Sequence, residues 1–166
     1  MSREQRFLFL YRYRSLSSGA AKFLAQHLSL PFTEVAALGE NDRSATGFLP
    51  PPEFELLANA FFADPDTSVR GWERARDAQS RIVRAVEAIA RAESSAHSVA
   101  IVSHGAVGAL LYCHLAGLAI DRRWDQGPNG GGNYFRFTLA PPTVFSWWQA
   151  IDAPAGDIGG KGLGLA

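Results

Sequence analysis

The feature that most constrains this chain is a short apolar run that ends in a polar tripeptide and passes at once into a helical pattern. Ser98-Val99-Ala100-Ile101-Val102 is followed directly by Ser103-His104-Gly105, and then Val107, Leu110, Leu111, His114 and Leu115 recur at helical spacing until Gly117. A near-continuous apolar run suits a strand buried on both faces of a parallel sheet. Strand, tight connection and helix in that order form the repeating unit of α/β domains. In such sheets ligands bind at the carboxyl ends of the strands, where a helix start offers free N–H groups and a positive dipole end. His104 stands at that point, and Gly105 would let a ligand approach the backbone closely. The alternative for His104 is a helix cap or a partner for a neighbouring carbonyl.

The remainder of the chain supports the same class. Residues 7–11, Phe-Leu-Phe-Leu-Tyr, read as a buried strand ended by Arg12 and Arg14, and residues 20–28 as a helix behind the cap-like Ser17, Ser18 and Gly19. A short strand is expected within residues 32–38, then a loop over 39–52 closed by three prolines. Helical spacing recurs over 53–62 and, most strongly, over 71–93, where Trp72, Ala75, Gln79, Ile82, Val86, Ile89 and Ala90 trace one stripe. Arg74, Arg76, Arg81 and Arg84 fall mostly off that stripe and read as a solvated face. Residues 134–139 alternate and, with 144–151, read as a terminal hairpin. The expected architecture is three-layer α/β/α, a mostly parallel sheet flanked by helices. Residues 1–152 would form one domain and the glycine-rich 153–166 a flexible tail.

Composition removes several function classes. The 166 residues carry 16 Lys plus Arg against 16 Asp plus Glu, so there is no global field to hold a nucleic acid. No apolar stretch approaches the roughly 20 residues needed to span a bilayer, and no signal peptide is evident at the start, so a cytoplasmic protein without a membrane partner is expected. The lone Cys113 lies in an apolar helix and reads as structural. His27 and His114 sit at core-facing positions of their helices, whereas His97 reads as surface. The four histidines lack paired metal-ligand spacing, and neither a phosphate-binding glycine loop with lysine nor a nucleophile-elbow motif occurs, so no metal and no cofactor is expected. The second candidate site is the loop Gly39-Glu40-Asn41-Asp42-Arg43, in which Glu40 or Asp42 could serve as a general acid beside an anion pocket. An Asx-turn with Arg43 as a surface partner is the alternative there.

With these residues in place, the sequence resembles the histidine phosphatase superfamily, the phosphoglycerate-mutase-like fold, over roughly residues 20–152. Val99 to Val107, with Ser103-His104-Gly105 at its centre, looks like the family's second histidine motif. Leu38-Gly39-Glu40, followed by Gly47, is similar to the loop that bears its catalytic acid, and residues 19–25 resemble the helix before it. The resemblance implies phosphomonoester hydrolysis or phosphoryl transfer through a phosphohistidine. It makes His104 a phosphate-binding residue and Glu40 the proton donor to the leaving oxygen. Residues 47–66 would shape the substrate pocket.

The family's first histidine, the nucleophile, lies in an Arg-His-Gly motif after the first strand, and no Arg-His-Gly occurs in this sequence. The nearest candidate is Arg12-Tyr13-Arg14, and tyrosine, with a reference pKa of about 10, is a poor phosphoryl acceptor. The spacing to Leu38 fits residues 7–28 better as the family's second strand and helix, with the first strand missing. If residues 7–11 instead take the first strand's place, Arg12 comes beside His104 and completes a phosphate pocket. The expectation is a histidine-phosphatase-like domain lacking its N-terminal catalytic segment, with little or no phosphatase activity. Its partner would be inorganic phosphate or a small phosphorylated molecule, or it would be a scaffold whose open sheet edge pairs in a homodimer.

Overall fold

A computed structural model describes residues 7–11, 17–93, 97–126 and 132–153. Strand β1 (Phe7–Tyr11) leads to helix α1 (Ser17–Leu28), then α2 (Pro51–Ala63) and α3 (Ala75–Ala92). Strand β2 (Val99–Ser103) runs into α4 (Gly105–Leu115), and β3 (Asn133–Leu139), β4 (Pro142–Val144) and β5 (Gln149–Ala150) close the chain. Single 3₁₀ turns lie at Ala36–Leu38, Val69–Gly71 and Arg122–Trp124.

The sheet runs β2-β1-β3-β4, with β5 also on β3. Strands β1 and β2 are parallel, with Phe7 opposite Val99 and Tyr11 opposite Ser103. The β1–β3, β3–β4 and β3–β5 pairings are antiparallel. The α/β class holds, but the sheet among the described residues is mixed rather than mostly parallel. The cause is connectivity: β1 reaches β2 through three helices and returns parallel, whereas β3 turns straight into β4 at Ala140-Pro141. Strand β2 has one described neighbour and is buried at Ile101 and Ser103 while Ala100 is exposed, so its apolar run is not covered on both faces.

The core lies where α3 and α4 meet each other and the sheet. Ile82 and Val86 of α3, Val107, Leu110 and Leu111 of α4, and Phe135 and Phe137 of β3 are all fully buried. Tyr112 meets the Phe135 ring edge-on at 5.5 Å, and Trp148 meets the same ring at 4.9 Å. Gln79 reaches from α3 to the Leu110 carbonyl at 2.9 Å, a polar tie between the two helices. Cys113 is buried here, and burial pushes its thiol up from its ordinary range, so it stays protonated.

Three local expectations shift. Helix α3 starts at Ala75 because Gly71 takes φ +83°, and a Cβ there would meet the Ala45 side chain at 2.8 Å. Residues 32–38 form no strand; Leu38 and Gly39 donate back to Val35 and Ala36 in a tight turn. His27 and His114 are exposed rather than core, as His97 is. The tail beyond Ala153 lies outside the described residues.

Candidate functional site

The carboxyl ends of β1 and β2 lie side by side, and Ser103, Tyr11 and Asn133 form one row across three strands. His104 follows Ser103 in extended conformation at φ −122° and ψ 161°, and Gly105 opens α4. The His104 carbonyl accepts the Gly108 N–H at 3.0 Å, but its side chain makes no capping bond to the helix. The imidazole is thus not engaged as the cap of α4. Arg12 directly follows Tyr11, and it lies outside the described residues. Strand β1 is nevertheless the inner neighbour of β2, the placement that an Arg12 contribution requires.

The Glu40 loop reaches this same end of the sheet. The buried Ser103 hydroxyl donates to the Leu38 carbonyl at 2.6 Å, latching the loop to the residue before His104. One carboxylate oxygen of Glu40, Oε1, accepts the Val107 N–H of α4 at 3.4 Å and the Asn41 N–H at 3.2 Å. Its other oxygen faces the Arg43 guanidinium at 3.9 Å. A carboxylate is thus seated on the first turn of α4, beside His104, where the amide donors and helix dipole favour negative charge. The site brings together two of the sequence candidates, Glu40 and His104, with Gly105 opening α4 directly after His104.

Asp42 is exposed, and its Oδ1 accepts the Ser44 N–H at 2.9 Å in an Asx-turn. Those hydrogen bonds to Ser44 hold its carboxyl below the usual range. The Asx-turn reading was right for Asp42, and the surface reading fails for Arg43. The Arg43 guanidinium is held 5.2 Å from the Phe54 ring centre and 5.6 Å from that of buried Trp72.

The loop is held from behind by a residue that the sequence pattern assigned to a solvated face. Arg81 donates to the carbonyls of Ala37 at 2.8 Å, Gly39 at 3.0 Å and Glu40 at 3.2 Å, and forks onto Glu73 at 3.0 and 2.8 Å. Its hydrogen bonds hold the Glu73 carboxyl below the usual range, while the pairing raises Arg81 in turn. Glu73 completes the frame, accepting the Asp42 N–H at 3.1 Å and donating its own N–H to the Asp42 carbonyl at 2.8 Å. Asp125 was missed as well. Burial pushes its carboxyl upward, the Gln126 N–H and Arg122 oppose that shift, and the negative charges of Glu40 and Glu55 add to it. Neither residue carries a local signal in the sequence; both acquire their roles from contacts across the fold. Among the described residues no cluster of His, Cys, Asp and Glu could hold a metal ion, and no helix is long and apolar enough to cross a membrane.

Residues 20–148 match the family description of the histidine phosphatase superfamily (branch 1), so the chain belongs to that superfamily. The fold is the phosphoglycerate-mutase-like α/β fold expected from the sequence. Among solved structures, mycobacterial glucosyl-3-phosphoglycerate phosphatase in complex with inorganic phosphate is similar with a TM-score of 0.66 at 14% identity, covering 89% of this chain and 98% of that one. The native form of that phosphatase gives a TM-score of 0.63 at 14% identity, covering 81% and 90%. A mycobacterial hydrolase gives 0.61 at 13% identity, covering 87% and 95%. At these identities the likeness is one of fold. No curated protein sequence matches the chain.

Proposed function

We propose that this chain binds inorganic phosphate or a small phosphorylated molecule at the start of α4 and turns it over little or not at all. The observation that carries the reading is the meeting of Glu40 with the first turn of α4 beside His104, made by the 3.4 Å contact from the Val107 N–H. A phosphate at His104 and Gly105 would take its charge balance from the imidazole and the helix start. In the family such fixed donors stabilise the transferring group, usually the largest catalytic contribution. Glu40 faces the same space and would supply a proton to the leaving oxygen of a phosphomonoester. Arg12 would add a guanidinium from the end of β1, and the parallel pairing of Tyr11 with Ser103 supports that role.

Binding and turnover separate at the nucleophile. The sequence contains no Arg-His-Gly, and the candidate at the end of β1 is Arg12-Tyr13-Arg14. A phenol with a reference pKa of about 10 is almost wholly protonated at neutral pH and forms a poor phosphoryl acceptor. A solved structural neighbour that holds inorganic phosphate supports the binding half of the reading.

The test is a phosphate-dependent melting scan together with a p-nitrophenyl phosphate assay on the chain and on His104→Ala. Phosphate at a hundredfold excess over Kd should stabilise the unsubstituted chain by about 2.7 kcal/mol, with no matching shift in the variant. Absence of any shift at millimolar phosphate would overturn the binding reading. Turnover abolished by His104→Ala would overturn the inactive one.

A further inference from the structure

From residue 19 to residue 40 no residue is fully buried. Helices α2, α3 and α4, by contrast, each bury three residues or more. A helix of about twelve residues is marginal in water unless tertiary packing supports it, and α1 has 12. Ala20, Ala21, Leu24 and Ala25 are half-buried, and the helix packs chiefly on β2. The remaining side of α1 has no cover among the described residues.

That uncovered side is apolar and continuous. Phe23, Leu28, Leu30 and Phe32 are the exposed large side chains of the stretch. The Phe23 ring stacks on His27 with centres 6.4 Å apart, and the Lys22 ammonium lies 5.8 Å from the centre of the Phe32 ring. The Leu30 N–H donates to the Ala25 carbonyl at 2.9 Å, which folds the segment after the helix back on its last turn. These contacts join helix and following segment into one surface, with about 400 Å² of apolar side chain left in water. A stable protein interface takes about 800 Å² from each partner, a little over half of it apolar, so this surface supplies most of the apolar share.

We propose that this face binds a second copy of the chain, α1 against α1 about a two-fold axis, and forms a homodimer. Charge selects a second copy over other partners. Within residues 17–39 the formal charges are Lys22 and Glu34, 3.4 Å apart with their side chains 58% and 60% exposed. A neutral patch with one charge of each sign offers no field to a nucleic acid or an anionic lipid surface. It is its own complement, because in a two-fold interface each copy presents both the ammonium and the carboxylate that the partner's pair accepts. The balance of 16 basic against 16 acidic residues removes long-range repulsion between copies. The interface is made by side chains of a helix and the segment after it. It needs no pairing of sheet edges and stands apart from the phosphate-binding reading.

The experiment is sedimentation velocity of the full chain at low salt, over roughly 1 to 200 μM, where mass action separates monomer from dimer. The expected result is a dimer at the upper concentrations that dissociates on dilution. Phe23→Asp sets like charges against each other in the apolar centre and weakens association by about tenfold or more. Lys22→Glu and Glu34→Lys each leave the patch with a single sign, and each self-associates about tenfold more weakly. An equimolar mixture of those two variants sediments as a dimer, because their patches are then opposite. Melting curves of the dilute monomers are the folding control, and Phe23→Asp leaves them in place because the side chain is exposed there. An unsubstituted chain that stays monomeric throughout would overturn the proposal. So would a dimer that Phe23→Asp does not weaken, or two folded charge variants that fail to associate when mixed. Because the unsubstituted chain already separates monomer from dimer, a variant that fails to fold does not remove the test.

Discussion

Helices α3 and α1 both follow a helical pattern in the sequence, α3 the more strongly, and the fold treats them differently. On α3, Ile82 and Val86 are fully buried against α4. On α1, Phe23 is 71% exposed and Leu28 52%, and Leu30 just beyond is 59%. The helices differ in what faces them. Helix α3 meets α4 and, through Arg81, the Glu40 loop, whereas α1 packs chiefly on β2, the strand with one described sheet neighbour. Periodicity thus reports what a helix offers; burial reports whether a partner takes it.

The contrast can be broken or sharpened by substitution. Leu110→Ala, fully buried on α4 at the residue whose carbonyl Gln79 of α3 bonds, should cost about 3 kcal/mol in denaturant unfolding, because the truncation leaves a cavity in a close-packed core. A cost below about 1 kcal/mol would mean that the α3–α4 contact is loose. Next in size, Arg81→Met leaves the Glu73 carboxylate without its fork and three loop carbonyls without a donor, for about 2 kcal/mol at neutral pH. Since Arg81 depresses the Glu73 carboxyl in the folded state, that stability is present above the ordinary glutamate range and lost as pH falls through the depressed value. The gap between chain and variant should therefore narrow in acid, measured as urea midpoints across pH.

Asp125→Asn should have a smaller effect of opposite sign. The folded carboxyl is raised by burial, so ionisation penalises the folded state increasingly as pH climbs from the ordinary aspartate range through the raised value. The variant escapes that penalty and gains on the unsubstituted chain between acidic and neutral pH, while its side-chain oxygen can still accept the Gln126 N–H. Smallest of all, Phe23→Ser should shift stability by no more than about 0.5 kcal/mol. A loss above 1.5 kcal/mol would place α1 in the core after all.

How much of this was legible follows from how local each cause is. The turn from β2 into α4 was readable because an apolar run, a tripeptide and a helical stripe sit within one stretch of sequence, and His104 came with them. Glu40 was readable as a loop acid and was preferred to Asp42 by the resemblance alone; the contacts that set the two apart, Ser44 N–H on Asp42 and Val107 N–H on Glu40, come from different parts of the chain. Arg81 was misassigned for the same reason: its position just off the α3 stripe says solvent, and only the loop carbonyls say otherwise. The expected strand in residues 32–38 shows the converse. Its local propensity was real, but no described strand lies alongside to pair with it, and a tight turn took the backbone groups instead.

The latch between the Ser103 hydroxyl and the Leu38 carbonyl joins residues 65 apart in sequence, and the Val107 to Glu40 contact joins residues 67 apart. No excised peptide shorter than that interval can carry the site, since neither half holds both the histidine and the acid. During folding the pocket must appear late, after the long loop has closed and its entropy has been lost. A protease that nicks the exposed loop between Glu40 and α2 therefore threatens the proposed anion site before it threatens the core of α3, α4 and β3, and binding should fail while much of the fold persists.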